Sequence, residues 1–147
     1  MVTLGACVVC TGRMGRKDVT FGMIEAAIRA CWSLETCDPA DLLNWSVDNP
    51  SSGQCGVTAL MVRDLIGGQL LEAEVLNPDG TRQGFHYWNR LPVFDVDLTR
   101  EQFISGEKVQ EPIEVEGPPR VSWVVEPQYA IFRSRVYGML GLTAAQP

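Results

Sequence analysis

Between Gly53 and Leu91 the pattern of apolar residues changes period once, and two glycines mark the change. In Gly53-Gln54-Cys55-Gly56-Val57-Thr58-Ala59-Leu60-Met61-Val62-Arg63-Asp64-Leu65-Ile66 the apolar positions 57, 60, 61 and 65 recur at helical spacing. Gly67-Gly68 supplies the stop. Gln69 to Leu76 then reads as a strand, Asn77-Pro78-Asp79-Gly80 as a turn and Arg82 to Leu91 as the returning strand. A helix running through a glycine stop into a hairpin places the chain in the α+β class, and it puts Cys55 at or near a helix start.

The flanking segments extend this plan. Thr20 is a candidate N-cap for a helix whose stripe is Phe21, Ile24, Ala27, Ile28, Cys31 and Trp32. Residues 33 to 52 mix Asp, Asn, Ser and two prolines, which predicts a loop with one short helix around Pro39 to Trp45. Pro92 breaks the second strand, and Val93 to Leu98 is expected as a third strand antiparallel to it. Thr99-Arg100-Glu101-Gln102 is a capping-box pattern that predicts a short helix. Residues 105 to 120, rich in Pro and Glu, are expected to form an exposed loop. Pro127 at a first helical position would open a last amphipathic helix carrying Tyr129, Phe132, Val136, Met139 and Leu140. The expected architecture is helices packed on a small antiparallel sheet, with residues 1–18 as a flexible leader and 19–147 as a single domain.

Composition bounds the function. A chain of 147 residues with 46% hydrophobic content suits one packed domain. Twelve Lys plus Arg stand against eighteen Asp plus Glu, a net charge of -6 that leaves no basic excess to neutralise phosphates. Nucleic acid is therefore not an expected partner. No apolar run reaches the ~18 to 20 residues of a membrane span, so the expectation is a soluble, cytoplasmic protein that does not enter a membrane. Five cysteines are an odd number, which argues for reduced thiols over a disulfide framework. Cys7-x-x-Cys10 is half of a possible zinc site, but Cys31 and Cys37 are badly spaced for the other half. No metal or cofactor is expected.

The chemistry-bearing residues follow in order. A cysteine at a helix start gains from the helix dipole and its N–H groups, which favour a thiolate and can hold an oxyanion. Gly53 and Gly56 allow close approach to Cys55. His86 is the only histidine, in His86-Tyr87-Trp88-Asn89, and strand alternation sets it with Trp88 on one face and Phe85 with Tyr87 on the other. Asp95 and Asp97 share a strand face, and either could orient the imidazole. Gln54 and Asn49 are candidate oxyanion donors. Trp88, Trp45 and Tyr87 are candidates to line a substrate groove. Taken singly, each of these residues also has an ordinary structural role.

The motifs Gly53-Gln54-Cys55-Gly56-Val57-Thr58-Ala59-Leu60, Gly67-Gly68, His86-Tyr87-Trp88-Asn89, Asp97-Leu98-Thr99 with Gln102-Phe103, and Trp32-Ser33-x-Glu35-Thr36 resemble the YunG-like family of small bacterial proteins, from about Thr20 to Leu140. A broader resemblance is to the transglutaminase-like and papain-like cysteine hydrolases, which share the order of a cysteine at a helix start, a histidine on a strand and an Asp or Asn on the next; transglutaminase-like members carry His-x-Trp and a following Asp-x-Thr. That resemblance implies a papain/transglutaminase-like core with Cys55 as nucleophile, His86 as base and Asp97 as orienter. The sequence departs from it where a Gln is expected about six residues before the cysteine, since Asn49 stands there. The implied activity is thiol-dependent hydrolysis or acyl transfer on an amide, ester or thioester, with a small-molecule or peptide-like acyl substrate. The alternative is a non-catalytic binding module for a small molecule or protein on the same scaffold.

Overall fold

The computed structural model describes residues 18–116 and 122–143, without the side chains of 122–125. Most of the leader, with Cys7 and Cys10, lies outside the described residues.

Helix α1 spans Phe21–Cys31, and the Thr20 hydroxyl accepts the Met23 N–H at 3.2 Å, as the N-cap reading requires. It turns Ile24, Ala27, Ile28 and Cys31 inward and ends at Trp32, whose indole N–H donates to Thr58 at 2.9 Å. That bond ties the end of α1 to α2, Cys55–Leu65. The connecting stretch contains two single 3-10 turns, Leu34–Thr36 and Pro39–Asp41, so the short helix expected there is tighter and ends earlier. Gly67 and Gly68 adopt φ of +97° and +88°, and the Gly67 N–H closes on the Val62 and Arg63 carbonyls, which ends α2.

Strand β1 (Gln69–Leu76) pairs antiparallel with β2 (Arg82–Arg90), Leu71 opposite Trp88 and Ala73 opposite His86. The third strand, β3, is reduced to Asp95–Val96 and pairs only with Asn89 and Arg90. It is shorter than the sequence predicts because the Leu91 N–H donates to the Phe94 carbonyl, closing a turn that leaves Val93 and Phe94 exposed. The predicted helix after Thr99 is one 3-10 turn, Arg100–Gln102, and the Thr99 side chain makes no cap bond. The exposed loop predicted from residue 105 instead contains β4 (Lys108–Val109) and β5 (Ile113–Val115), both antiparallel to the free edge of β1. Such short edge strands are held by backbone bonds and leave little apolar periodicity to read. The last helix, α3, spans Ser122–Leu140, so Pro127 lies inside it and not at its first position.

Ile28, Met61, Phe132 and Val136 are all but inaccessible to solvent and join α1, α2 and α3 in one core. Tyr137 is buried there too, whereas Met139, predicted to face inward, is exposed. Ala59 of α2 packs on Leu70 and Tyr87, while Leu71, Ala73 and Trp88 form a separate cluster with Val109. Alternation along β1 and β2 thus gives the sheet a covered face on each side.

Candidate functional site

Strand alternation on β2 decides where each candidate points. Tyr87 and Asn89 turn to α2, Asn89 donating to the Ala59 carbonyl at 2.9 Å. His86 turns the other way and is completely buried, stacked on Trp88 and edge-on to Phe103. Its Nε2 lies 2.9 Å from both carboxylate oxygens of Asp97. A carboxylate only accepts, so Nε2 carries the proton and Nδ1 of the neutral ring holds a lone pair. Gln102 meets that lone pair: its Nε2 stands 3.3 Å from Nδ1 and 3.0 Å from the Thr99 carbonyl. Its Oε1 accepts the Gly53 N–H at 3.4 Å, which fixes the orientation of the amide.

Asp97 also receives Arg100 at 2.7 Å. Burial raises its carboxyl, but the hydrogen bonds from His86 and Arg100, with their electrostatic pull, outweigh burial and hold it below the ordinary aspartate value. Asp95 is engaged elsewhere, taking both arms of the Arg90 guanidinium and the Trp88 indole N–H. The contact to His86 is thus made by Asp97 and not by Asp95.

Cys55 begins α2 and lines a cavity of about 370 Å³ together with Tyr87, Phe85, Gln102, Asp38 and Asp41. The residue is partly accessible, but enough protein surrounds its thiol that burial pushes it up to about 12. The Tyr87 backbone N–H opposes the rise, while Asp41, Asp38 and Asp97 add to it. The helix start alone suggests a lowered thiol; the surroundings reverse that, and the resting form is the neutral thiol. No Cys55–His86 hydrogen bond is present among the described residues. The link between the two runs through Gln102 to Gly53, two residues before Cys55.

Gly53 makes this junction possible. Its φ is +68°, and a Cβ there would stand 2.5 Å from the Cys37 sulfur and 2.8 Å from the Asp41 Cβ. The Asp38 N–H donates to its carbonyl at 2.9 Å, so the Asp38–Asp41 turn is laid directly against the cysteine loop.

The other sequence candidates have structural engagements. Gln54 is completely buried, its amide donating to the Ser33 carbonyl and accepting from the Thr36 hydroxyl, so it does not cap α2 or face the cavity. Asn49 donates to the Gln102 carbonyl at 3.1 Å and braces that residue. Trp45 donates to the Pro50 carbonyl and lies outside the cavity wall, and Trp88 supports His86. Of the three aromatic candidates only Tyr87 lines the cavity, with its hydroxyl donating to the buried Glu72 at 2.9 Å. Gln102 escaped the sequence reading because its spacing from Thr99 imitates a capping box. Its place beside Phe103 in the family motif was the available signal.

The remaining described cysteines, Cys31 and Cys37, are free and buried. Burial pushes Cys37 up to about 12, with Asp41 and Asp38 adding to the effect. No cluster of His, Cys, Asp and Glu able to hold a metal is found among the described residues. None of their helices is long and apolar enough to cross a membrane.

Fold and site together define an α+β protein with a cleft cysteine at a helix start and a buried strand histidine paired with an aspartate that directly follows the next strand. The family described as YunG protein matches residues 20–141, and the chain belongs to that family. It is similar to a Bacillus subtilis (strain 168) protein titled "Uncharacterized protein YunG", 36% identical over 96 residues that cover 65% of this chain and 69% of the relative. No solved structure matches the chain.

Proposed function

We propose that the protein is a thiol-dependent hydrolase or acyltransferase with a papain/transglutaminase-like core, using Cys55 as nucleophile, His86 as base and Asp97 as orienter. The observation that carries the reading is the His86–Asp97 pair: a fully buried imidazole whose Nε2 is held by a carboxylate and whose Nδ1 is directed, through Gln102, towards the cysteine loop. A structural histidine needs only one partner, whereas this one has its tautomer set from both sides.

In the reaction, Gln102 yields Nδ1 and His86 takes the Cys55 proton. The sulfur attacks the carbonyl carbon of an amide, ester or thioester. The C–S bond forms, the bond to the leaving group breaks, and that group departs with the proton from His86. Water or an amine then attacks the thioester and restores the thiol. The α2 N–H groups, which no side chain caps, and the Tyr87 N–H beside the sulfur are the donors placed to hold the oxyanion; Gln54 and Asn49 are committed elsewhere.

A second reading, a non-catalytic binding module that retains the scaffold, is favoured by two observations: the resting thiol is raised, and Nδ1 is already occupied. Intact-mass measurement after exposure to a panel of thioester and activated-ester acyl donors separates the two. The enzyme reading expects an acyl adduct on Cys55 that turns over. Cys55→Ala abolishes it, and His86→Ala slows its formation by about 10²- to 10⁴-fold. Equal adduct formation in wild type and His86→Ala, or no adduct with any donor, refutes the enzyme and leaves the binding module.

A further inference from the structure

We propose that the Cys55 cavity takes a substrate carrying a cationic group, a primary ammonium or guanidinium, whose charge rests between Asp38 and Asp41 while its acyl carbon faces the sulfur. The inference rests on the reading of Cys55 as nucleophile and adds to it the chemical class of the substrate.

Among the described residues that line the cavity, Asp38 and Asp41 are the only charged ones, and neither has an ion-pair partner. Several carboxylates elsewhere in the molecule are paired. Asp95 is matched to Arg90, Asp97 to Arg100, Glu35 to Arg135 and Glu101 to Arg29. Burial and the neighbouring Asp38 raise the Asp41 carboxyl, with Asn44 opposing, as expected for a carboxylate that lacks a counter-ion. Gln128 adds an independent sign from α3. It forms part of the same wall, and its Oε1 is sealed from solvent with no donor reaching it in the described structure. Two carboxylates and an amide oxygen that no donor reaches thus line the cavity, with no cation among the described residues beside them. An ammonium or guanidinium brings only donors and a positive charge.

The placement of the two aspartates is built in. Asp38 is held to the Gly53 carbonyl, and the Asp41 Cβ lies against Gly53, so the acidic wall moves with the loop that carries Cys55. Burial is the main cause that holds the thiol neutral, and a charge bound there offsets what Asp41 and Asp38 add to it, so occupancy favours activation of the nucleophile. The remaining lining near the sulfur, Phe85, Tyr87 and Phe103, suits the apolar part of such a substrate.

The test uses the Cys55→Ala protein, which cannot form an acyl adduct, and titrates it calorimetrically with Nα-acetyl-arginine methyl ester and with its uncharged isostere Nα-acetyl-citrulline methyl ester, both blocked at the α-amine. The arginine ester is expected to bind about tenfold or more tightly than the citrulline ester. Asp38→Asn and Asp41→Asn, which keep a hydrogen-bond acceptor in place, are expected to erase most of that difference and leave citrulline ester binding unchanged. Equal binding of the two esters, binding of neither, or a charge preference that survives both substitutions overturns the proposal. Cation binding without any acyl adduct in the wild type would remove the acyl chemistry and leave the cation site standing. An adduct formed from neutral donors without cation preference would do the reverse.

Discussion

Asp97 illustrates how one carboxylate joins stability to the site. It is nearly buried, accepts from His86 and pairs with Arg100, and its carboxyl is held below the ordinary value. A carboxyl depressed in the folded state contributes stability that is present above its unfolded value of about 3.9 and is lost as the pH falls through the folded value. Asp97→Asn is therefore expected to lower stability near neutral pH by about 1–3 kcal/mol. The gap to wild type should close in acid, once the wild-type carboxyl is itself protonated. Urea midpoints measured from neutral pH down to about pH 3 read both effects. A gap that stays constant across that range would show that the carboxylate charge is not what Asp97 contributes. At this scale strand alternation left Asp95 and Asp97 equivalent, because two residues apart on a strand share a face, and only the family resemblance favoured Asp97. The turn after Leu91 broke that equivalence by leaving Asp95 for Arg90 and carrying Asp97 to the imidazole.

The elements meet at glycines that admit no side chain. At Gly53 the loop entering α2 presses on Cys37 and on the Asp38–Asp41 turn, and its φ of +68° excludes ordinary residues. Gly53→Ala is expected to destabilise the fold by about 1–3 kcal/mol or more, from backbone strain together with overpacking. It should also disturb the Gln102 bond to the Gly53 N–H, so that loss of Tm accompanies any loss of Cys55 acylation. An unchanged Tm would mean that the loop relaxes without cost. Elements with a strong period were legible: α1 with its Thr20 cap, α2 with its glycine stop, and the β1–β2 hairpin. β4 and β5 were not, because they are two and three residues long and depend on β1 for their hydrogen bonds. The start of α3 was misplaced for a different reason. Proline suits a first helical position, but α3 begins five residues before it, at Ser122, and Pro127 lies inside the helix, where its missing N–H forgoes one helical hydrogen bond.

For the molecule as a whole, three helices share one core around Phe132, which has no solvent exposure. Phe132→Ala is expected to cost about 3–5 kcal/mol, read from urea or thermal unfolding. That is a large share of the 5–15 kcal/mol typical of a domain. A loss below about 1 kcal/mol would mean that α3 is dispensable to the core. The amino-acid sequence by itself determined the α+β class, the principal elements and the order Cys55, His86, Asp97, because periodicity, capping and residue chemistry are local properties. Only the tertiary structure decided that Asp97 holds His86, that Gln102 stands between the histidine and the cysteine loop, and that Asp38 and Asp41 face the same cavity as Cys55. Those are contacts between segments distant in sequence. Burial there reversed the local expectation for the thiol, since removal from water and nearby carboxylates outweigh the pull of a helix start.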